Sequence, residues 1–210
     1  MVDAQGLQHL STSGITGAQA AWDVMHAAGV ENVAIEPVEG FLSDHYDPGK
    51  KVLRLSPDVY QGQSLSALGV GAHEAGHAIQ DATRYRPLVI RNTLVPLANI
   101  GSNAAWVIIV IGFVLMAAQP ALGRTAVIIG CAAFSLTVLF QLVNLPVEFD
   151  ASRRARRMLV DHGIITQQED AVVKKVLRAA AMTYVAATLT AILTLVYYLL
   201  RAGLLGGRRH

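Results

Sequence analysis

The chain has 210 residues, of which 53% are hydrophobic and only 15% charged, against about 25% charged in an ordinary soluble domain. That deficit excludes a disordered or heavily solvated chain, and 17 Lys+Arg against 15 Asp+Glu, a net charge of +2, excludes the basic excess of a dedicated nucleic-acid binder. Membrane protein is the class that remains.

Residues 1–14 do not show a basic stretch followed by an apolar one, so they do not read as a secretory signal, and insertion is expected to use internal segments. The stretch 16–28 predicts a helix capped by Thr16 and stopped by Gly29, with Trp22, Val24 and Met25 as core contacts. Residues 32–37 alternate like a strand. Residues 41–55 read as two extended segments around the turn Asp47-Pro48-Gly49-Lys50, which predicts a small sheet.

From Ser64, a plausible N-cap, Leu65, Leu68, Ala72, Ala75 and Ile79 recur at helical spacing. Gly69, Gly71 and Gly76 each cost such a helix about 1 kcal/mol relative to alanine, which points to close packing against the sheet or a membrane hairpin. The helix carries His73-Glu74-Ala75-Gly76-His77, the H-E-x-x-H pattern. Positions i and i+4 share a face, so both imidazoles can reach one Zn²⁺. A water on such an ion has its pKa lowered to about 7, and the adjacent Glu74 is placed to take its proton. With seven His in 210 residues, composition alone predicts roughly 0.007 such matches.

Beyond it, no charge occurs in the 32 residues between Arg91 and Arg124, in the 23 between Arg124 and Glu148, or in the 22 between Arg178 and Arg201. Each run exceeds the roughly 20 residues a membrane-spanning helix needs. The first two, with a connector around Gln119, Pro120 and Gly123, read as an antiparallel hairpin, and Tyr184, Tyr197 and Tyr198 suit interfacial anchoring of the third. Thirteen of the 17 Lys+Arg lie in 1–93 and 148–184, so the positive-inside rule places both on the cytoplasmic side. Cys131, the one cysteine, lies in the second run and reads as a small packing residue.

A catalytic zinc takes three protein ligands and keeps a fourth position open. Glu148 is the outstanding third candidate, because it ends the second run and an even number of crossings keeps it on the side of His77. Asp150 projects away from Glu148 on a helix and reads as an orienting or arginine partner. In Asp44-His45-Tyr46-Asp47 the aspartates suit turn hydrogen bonds, while His45 or Tyr46 is a candidate donor to a developing oxyanion. Arg153, Arg154, Arg156 and Arg157 read as an anchor on lipid headgroups. His9, His26, His162 and His210 have no partner motif and read as surface or tail residues.

The segments SGITGAQAA, FLSDHYDPGKKVLRLS, VGAHEAGHAIQDA and LPVEFDASRRA, in this order, closely resemble the YugP-like membrane neutral zinc metallopeptidases. The pattern is more distantly similar to the HtpX-like membrane metalloproteases, in which a glutamate beyond a transmembrane hairpin completes the zinc site. The resemblance implies His73, His77 and Glu148 as ligands and Glu74 as general base. The HtpX-like glutamate motif often has an aspartate four residues later, where this chain has Ser152, so Asp150 or Asp81 becomes the expected orienting partner of the zinc histidines.

The expectation is a mainly α membrane protein with a small α+β zincin-like catalytic domain. Its parts are a cytoplasmic catalytic domain in 1–93, a transmembrane hairpin in 94–147, a cytoplasmic helical segment with the third ligand in 148–184, a third span in 185–205 and a tail in 206–210. The expected function is a multi-pass, inner-membrane zinc endopeptidase holding one Zn²⁺ and cleaving membrane-associated proteins or peptides near the bilayer surface. The alternative is a non-catalytic scaffold or chaperone-like module with a structural zinc.

Overall fold

The computed structural model describes residues 9–40 and 43–204. Expectations that fall on residues 1–8, on Phe41 and Leu42, and on the tail with Arg208, Arg209 and His210 lie outside the described residues.

Helix α1 (Gly17–Ala27) opens on a reciprocal cap in which Thr16 Oγ1 accepts the Gln19 N–H and the Gln19 side chain accepts the Thr16 N–H. This satisfies two of the donors a helix start leaves orphaned. Gly29, at φ 74°, takes the chain out of the helix. The buried face is Ala20, Ala21, Val24 and Met25. Trp22 departs from its expected core position: it is 54% exposed and stacked on His26, because it lies off the face that Ala21 and Met25 present to the interior.

Strands β1 (Ala34–Pro37), β2 (His45–Asp47) and β3 (Val52–Leu55) form one sheet in the order β1-β3-β2. β3 is parallel to β1, with Ala34 opposite Val52, and antiparallel to β2, with Tyr46 opposite Leu53. The apolar VLRL segment takes the central position, where Leu53 and Leu55 are fully buried. The turn before it is fixed by Asp47, whose Oδ1 accepts the N–H groups of Gly49 and Lys50 at 3.0 Å each. A short α2 (Pro57–Tyr60) leads to α3 (Leu65–Ala82), whose N-cap Ser64 accepts the Ala67 N–H.

Three long helices follow: α4 (Arg86–Ala118), α5 (Pro120–Asp161) and α6 (Gln167–Arg201). Gln119 alone links α4 to α5, and Gly123 is already helical. α5 runs on beyond the second uncharged run, through Glu148 to Asp161. The start of α6 is held by Thr166 and Glu169, each of whose side chains accepts the other's backbone N–H.

The chain divides into two compact units: Met1–Leu88 with Pro146–Met182, and Val89–Leu145 with Thr183–His210. In the first, α3 is the central helix of a core that also takes Leu53 and Leu55 from β3, Ala155 and Leu159 from α5 and Val173 and Leu177 from α6. The glycines of α3 face helices, not the sheet or the hairpin. A Cβ on Gly71 would lie 2.3 Å from the Gly17 carbonyl oxygen, and one on Gly69 would lie 3.0 Å from the Val173 side chain.

In the second unit Ile109, Val127, Cys131 and Ala202 form a small buried cluster. The apolar windows of α4, α5 and α6 are only 24%, 22% and 17% buried. Helices of a soluble bundle would cover such faces with protein, so these three have the length and exposed apolar surface of membrane spans.

Candidate metal centre

The i, i+4 spacing on α3 sets the His73 and His77 rings edge to face, 4.8 Å between centroids. Glu148 arrives on α5, 4% exposed, with Oε2 3.2 Å from His73 Nε2 and 3.7 Å from His77 Nε2. The three potential ligand atoms lie within 4.8 Å of one another. Two imidazole nitrogens and one carboxylate oxygen are a donor set suited to Zn²⁺. Burial pushes the Glu148 carboxyl up, but hydrogen bonds and charge from His73 and His77 outweigh it and hold the group well below the usual carboxylate range. The site is thus built around a buried anion.

What lets α5 come so close is Gly76, inside the motif itself. A Cβ there would sit 2.7 Å from the Ala151 carbonyl oxygen and 3.2 Å from its carbon, so any side chain would push α5, and Glu148 with it, off the histidines.

The outer nitrogens of both imidazoles are engaged. His77 Nδ1 lies 3.0 Å from Gln80 Oε1, while Gln80 Nε2 donates to the Val147 carbonyl at 2.9 Å and to Asp150 Oδ2 at 3.0 Å. A carbonyl and an ionised carboxylate only accept, so the Gln80 amide nitrogen must face them and its oxygen must face His77. His77 therefore donates from Nδ1, which leaves Nε2 as the nitrogen with a lone pair to offer a metal. His73 Nδ1 lies 3.1 Å from Ser152 Oγ. A hydroxyl can give or accept, so Ser152 positions that ring without setting its tautomer.

Asp150 acts on His77 through Gln80 and not directly. It is 6% exposed and also accepts from Arg153 at 2.7 Å and Arg154 at 2.5 Å. Burial raises its carboxyl pKa, but the bonds from Gln80, Arg154 and Arg153 prevail and lower it. Asp81 stands elsewhere: it accepts from the Tyr46 hydroxyl at 2.7 Å and Lys51 Nζ at 2.5 Å, and it bonds neither imidazole. Tyr46 is thereby engaged, its hydroxyl pKa pushed up by burial and by Asp81. His45 is exposed, with Nδ1 2.7 Å from the Ser43 carbonyl and Nε2 3.4 Å from Arg54. His45 and Tyr46 are not members of this ligand group, and a donor to an oxyanion need not be one, since it bonds the substrate oxygen and not the metal.

Glu74 is 9% exposed and makes no hydrogen bond or ion pair with another described residue, in contrast to Glu148, Asp150 and Asp81. A buried carboxylate next to the two histidines with no side-chain partner is one available to a bound molecule. Gln80 is the positioning residue that sequence reasoning missed. Its signal was a glutamine one turn after His77, on the helix face that carries both histidines and Gly76. Among the arginines, Arg154 and Arg156 are internal ties, to Asp150 and Asp170, while Arg153 and Arg157 are 73% and 79% exposed.

Residues 4–203 match the profile of a family described as "Putative neutral zinc metallopeptidase". A relative named "Putative membrane protease YugP", from Bacillus subtilis (strain 168), is 42% identical over 190 residues, which cover 90% of this chain and 82% of the relative. No solved structure matches.

Proposed function

The chain belongs to the "Putative neutral zinc metallopeptidase" family, and from that premise we propose that it is an integral-membrane endopeptidase of the H-E-x-x-H plus Glu type, with a zincin-like catalytic unit. The observation that carries this reading is the convergence of His73, His77 and Glu148 beside a buried Glu74 with no partner among the described residues.

In this reading His73, His77 and Glu148 hold one Zn²⁺ per chain. When bound, the ion supplies Lewis acidity toward the scissile carbonyl and the attacking water. Glu74 takes the proton of that water and passes it to the leaving amine nitrogen. Gln80 and Ser152 hold the two imidazoles in register. The first uncharged run opens after Arg91 and Glu148 closes the second, which supports cleavage of membrane-associated proteins or peptides near the bilayer surface. The distribution of Lys and Arg supports a cytoplasmic position for the catalytic unit in a cell membrane.

The rival reading is a scaffold whose zinc is structural. A structural site is closed by a fourth protein ligand, whereas the donor group found among the described residues has three members. Bound zinc per chain and cleavage of an unfolded model protein, measured for the wild type, Glu148→Ala and Glu74→Gln, separate the two. The expected result is about one zinc in the wild type, lost in Glu148→Ala, and kept in Glu74→Gln with cleavage abolished. Wild-type cleavage by Glu74→Gln would sink the peptidase mechanism, and full zinc in Glu148→Ala would remove Glu148 from the ligand set.

A further inference from the structure

Beyond the metal centre, α5 and α6 frame a groove of about 290 Å³. Its lining combines the apolar Phe149, Leu177 and Ala181 with the basic Arg153, Arg156, Lys174 and Arg178. The charges are unequal in what they have to do. Arg156 is held by both oxygens of Asp170, at 2.8 and 2.5 Å, and Arg153 is bonded to Asp150. Lys174 and Arg178, one turn apart on α6, are exposed and have no acidic partner among the described residues. An adjoining groove of about 340 Å³ shares Arg153 and Arg156 and adds Arg157, but it also contains Asp161 and Asp170, which pair with Arg157 and Arg156. Of the two grooves, only that of Lys174 and Arg178 is lined by basic side chains without an acidic partner among the described residues.

The lining of that groove combines basic with apolar side chains, and at about 290 Å³ it lies just under the range for drug-sized ligand sites. Its position along the chain agrees. Phe149 follows the 23-residue uncharged run by one residue, and Arg178 is the last charge before the 22-residue run that ends at Arg201. Both helices thus bring the groove to the level where the polar headgroups of a bilayer begin. We propose that this groove is a binding site for one anionic phospholipid, its phosphate between Lys174, Arg178 and Arg153 and the start of an acyl chain along Phe149, Leu177 and Ala181. Ser152 also lines the groove while bonding His73, so the site borders a zinc ligand. The proposal rests on the membrane-spanning reading of α5 and α6 and is independent of peptidase activity.

The test uses the full chain in nanodiscs of phosphatidylcholine with an increasing share of phosphatidylglycerol, and reads the rise in unfolding midpoint. Lys174→Gln with Arg178→Gln is compared with Arg157→Gln with Lys175→Gln, which removes the same charge outside the groove. The wild type and the second pair should show the same saturable rise. The first pair should match them in pure phosphatidylcholine but need about thirty-fold more anionic lipid for half the effect, at about fivefold per basic side chain. An equal response of both pairs would overturn the proposal in favour of diffuse surface charge. The same rise produced by inorganic phosphate in pure phosphatidylcholine would overturn it in favour of a free-anion site.

Discussion

Replacing Gln80 by leucine tests how the metal centre is held. Gln80 is fully buried and bonds His77 Nδ1, the Val147 carbonyl and Asp150. Leucine fills a similar volume, so the loss falls on the partners. Asp150 keeps Arg153 and Arg154, whereas the His77 N–H and the Val147 carbonyl each lose a buried hydrogen bond, at about 1–3 kcal/mol apiece in stability. For zinc the consequence is more specific. Losing the group that orients a ligating imidazole typically weakens metal binding by about 10–100-fold, which is about 1.4–2.8 kcal/mol. Competition against a chromophoric chelator, on detergent-purified full chain, should show Kd rising within that range while saturating metal still gives about one zinc per chain. If Gln80→Leu binds zinc within about twofold of the wild type, the tautomer argument fails. The edge-to-face contact with His73, at 4.8 Å, would then be what orients His77.

Three further outcomes follow from the same geometry. Ser152→Asp should tighten zinc binding by up to about tenfold in the same competition assay, because a carboxylate fixes the Nδ1–H tautomer of His73 where a hydroxyl does not; unchanged or weaker binding would refute this. Gly76→Ala, whose Cβ would meet the Ala151 carbonyl oxygen at 2.7 Å, should cost about 1–3 kcal/mol, read as a lower unfolding midpoint together with weaker zinc binding; Ala78→Gly on the same helix should lower the midpoint without changing zinc affinity. Tyr46, whose hydroxyl pKa is raised above the ordinary 10.0, stabilises the fold fully below pH 10, a contribution lost progressively as pH rises from there through the higher folded value. Native wild type and Tyr46→Phe should therefore give the same phenolate absorbance up to about pH 11, diverging only on unfolding, and an earlier difference would refute the buried bond to Asp81.

Sequence by itself determined what depends on near neighbours. The caps at Thr16 and Ser64, the turn at Asp47, the two histidines on one face of α3 and the three long uncharged runs are all set within a few residues or by composition alone. Glu148 was legible as a candidate because a carboxylate ends an uncharged run, but that its oxygen lies 3.2 Å from His73 Nε2, across 75 positions of chain, depends on how α3 packs against α5. The orienting partners were decided in the same way. Asp150 and Asp81 have the chemistry to bond an imidazole, yet Ser152 and Gln80 do so, because the approach permitted by Gly76 selects which side chains meet. Trp22 shows the same limit: its apolar character is local, but the face α1 buries is set by its tertiary neighbours, and Trp22 lies outside it. Local pattern carries donor identity and helix register, whereas distances between side chains far apart in the chain exist only once the core has packed.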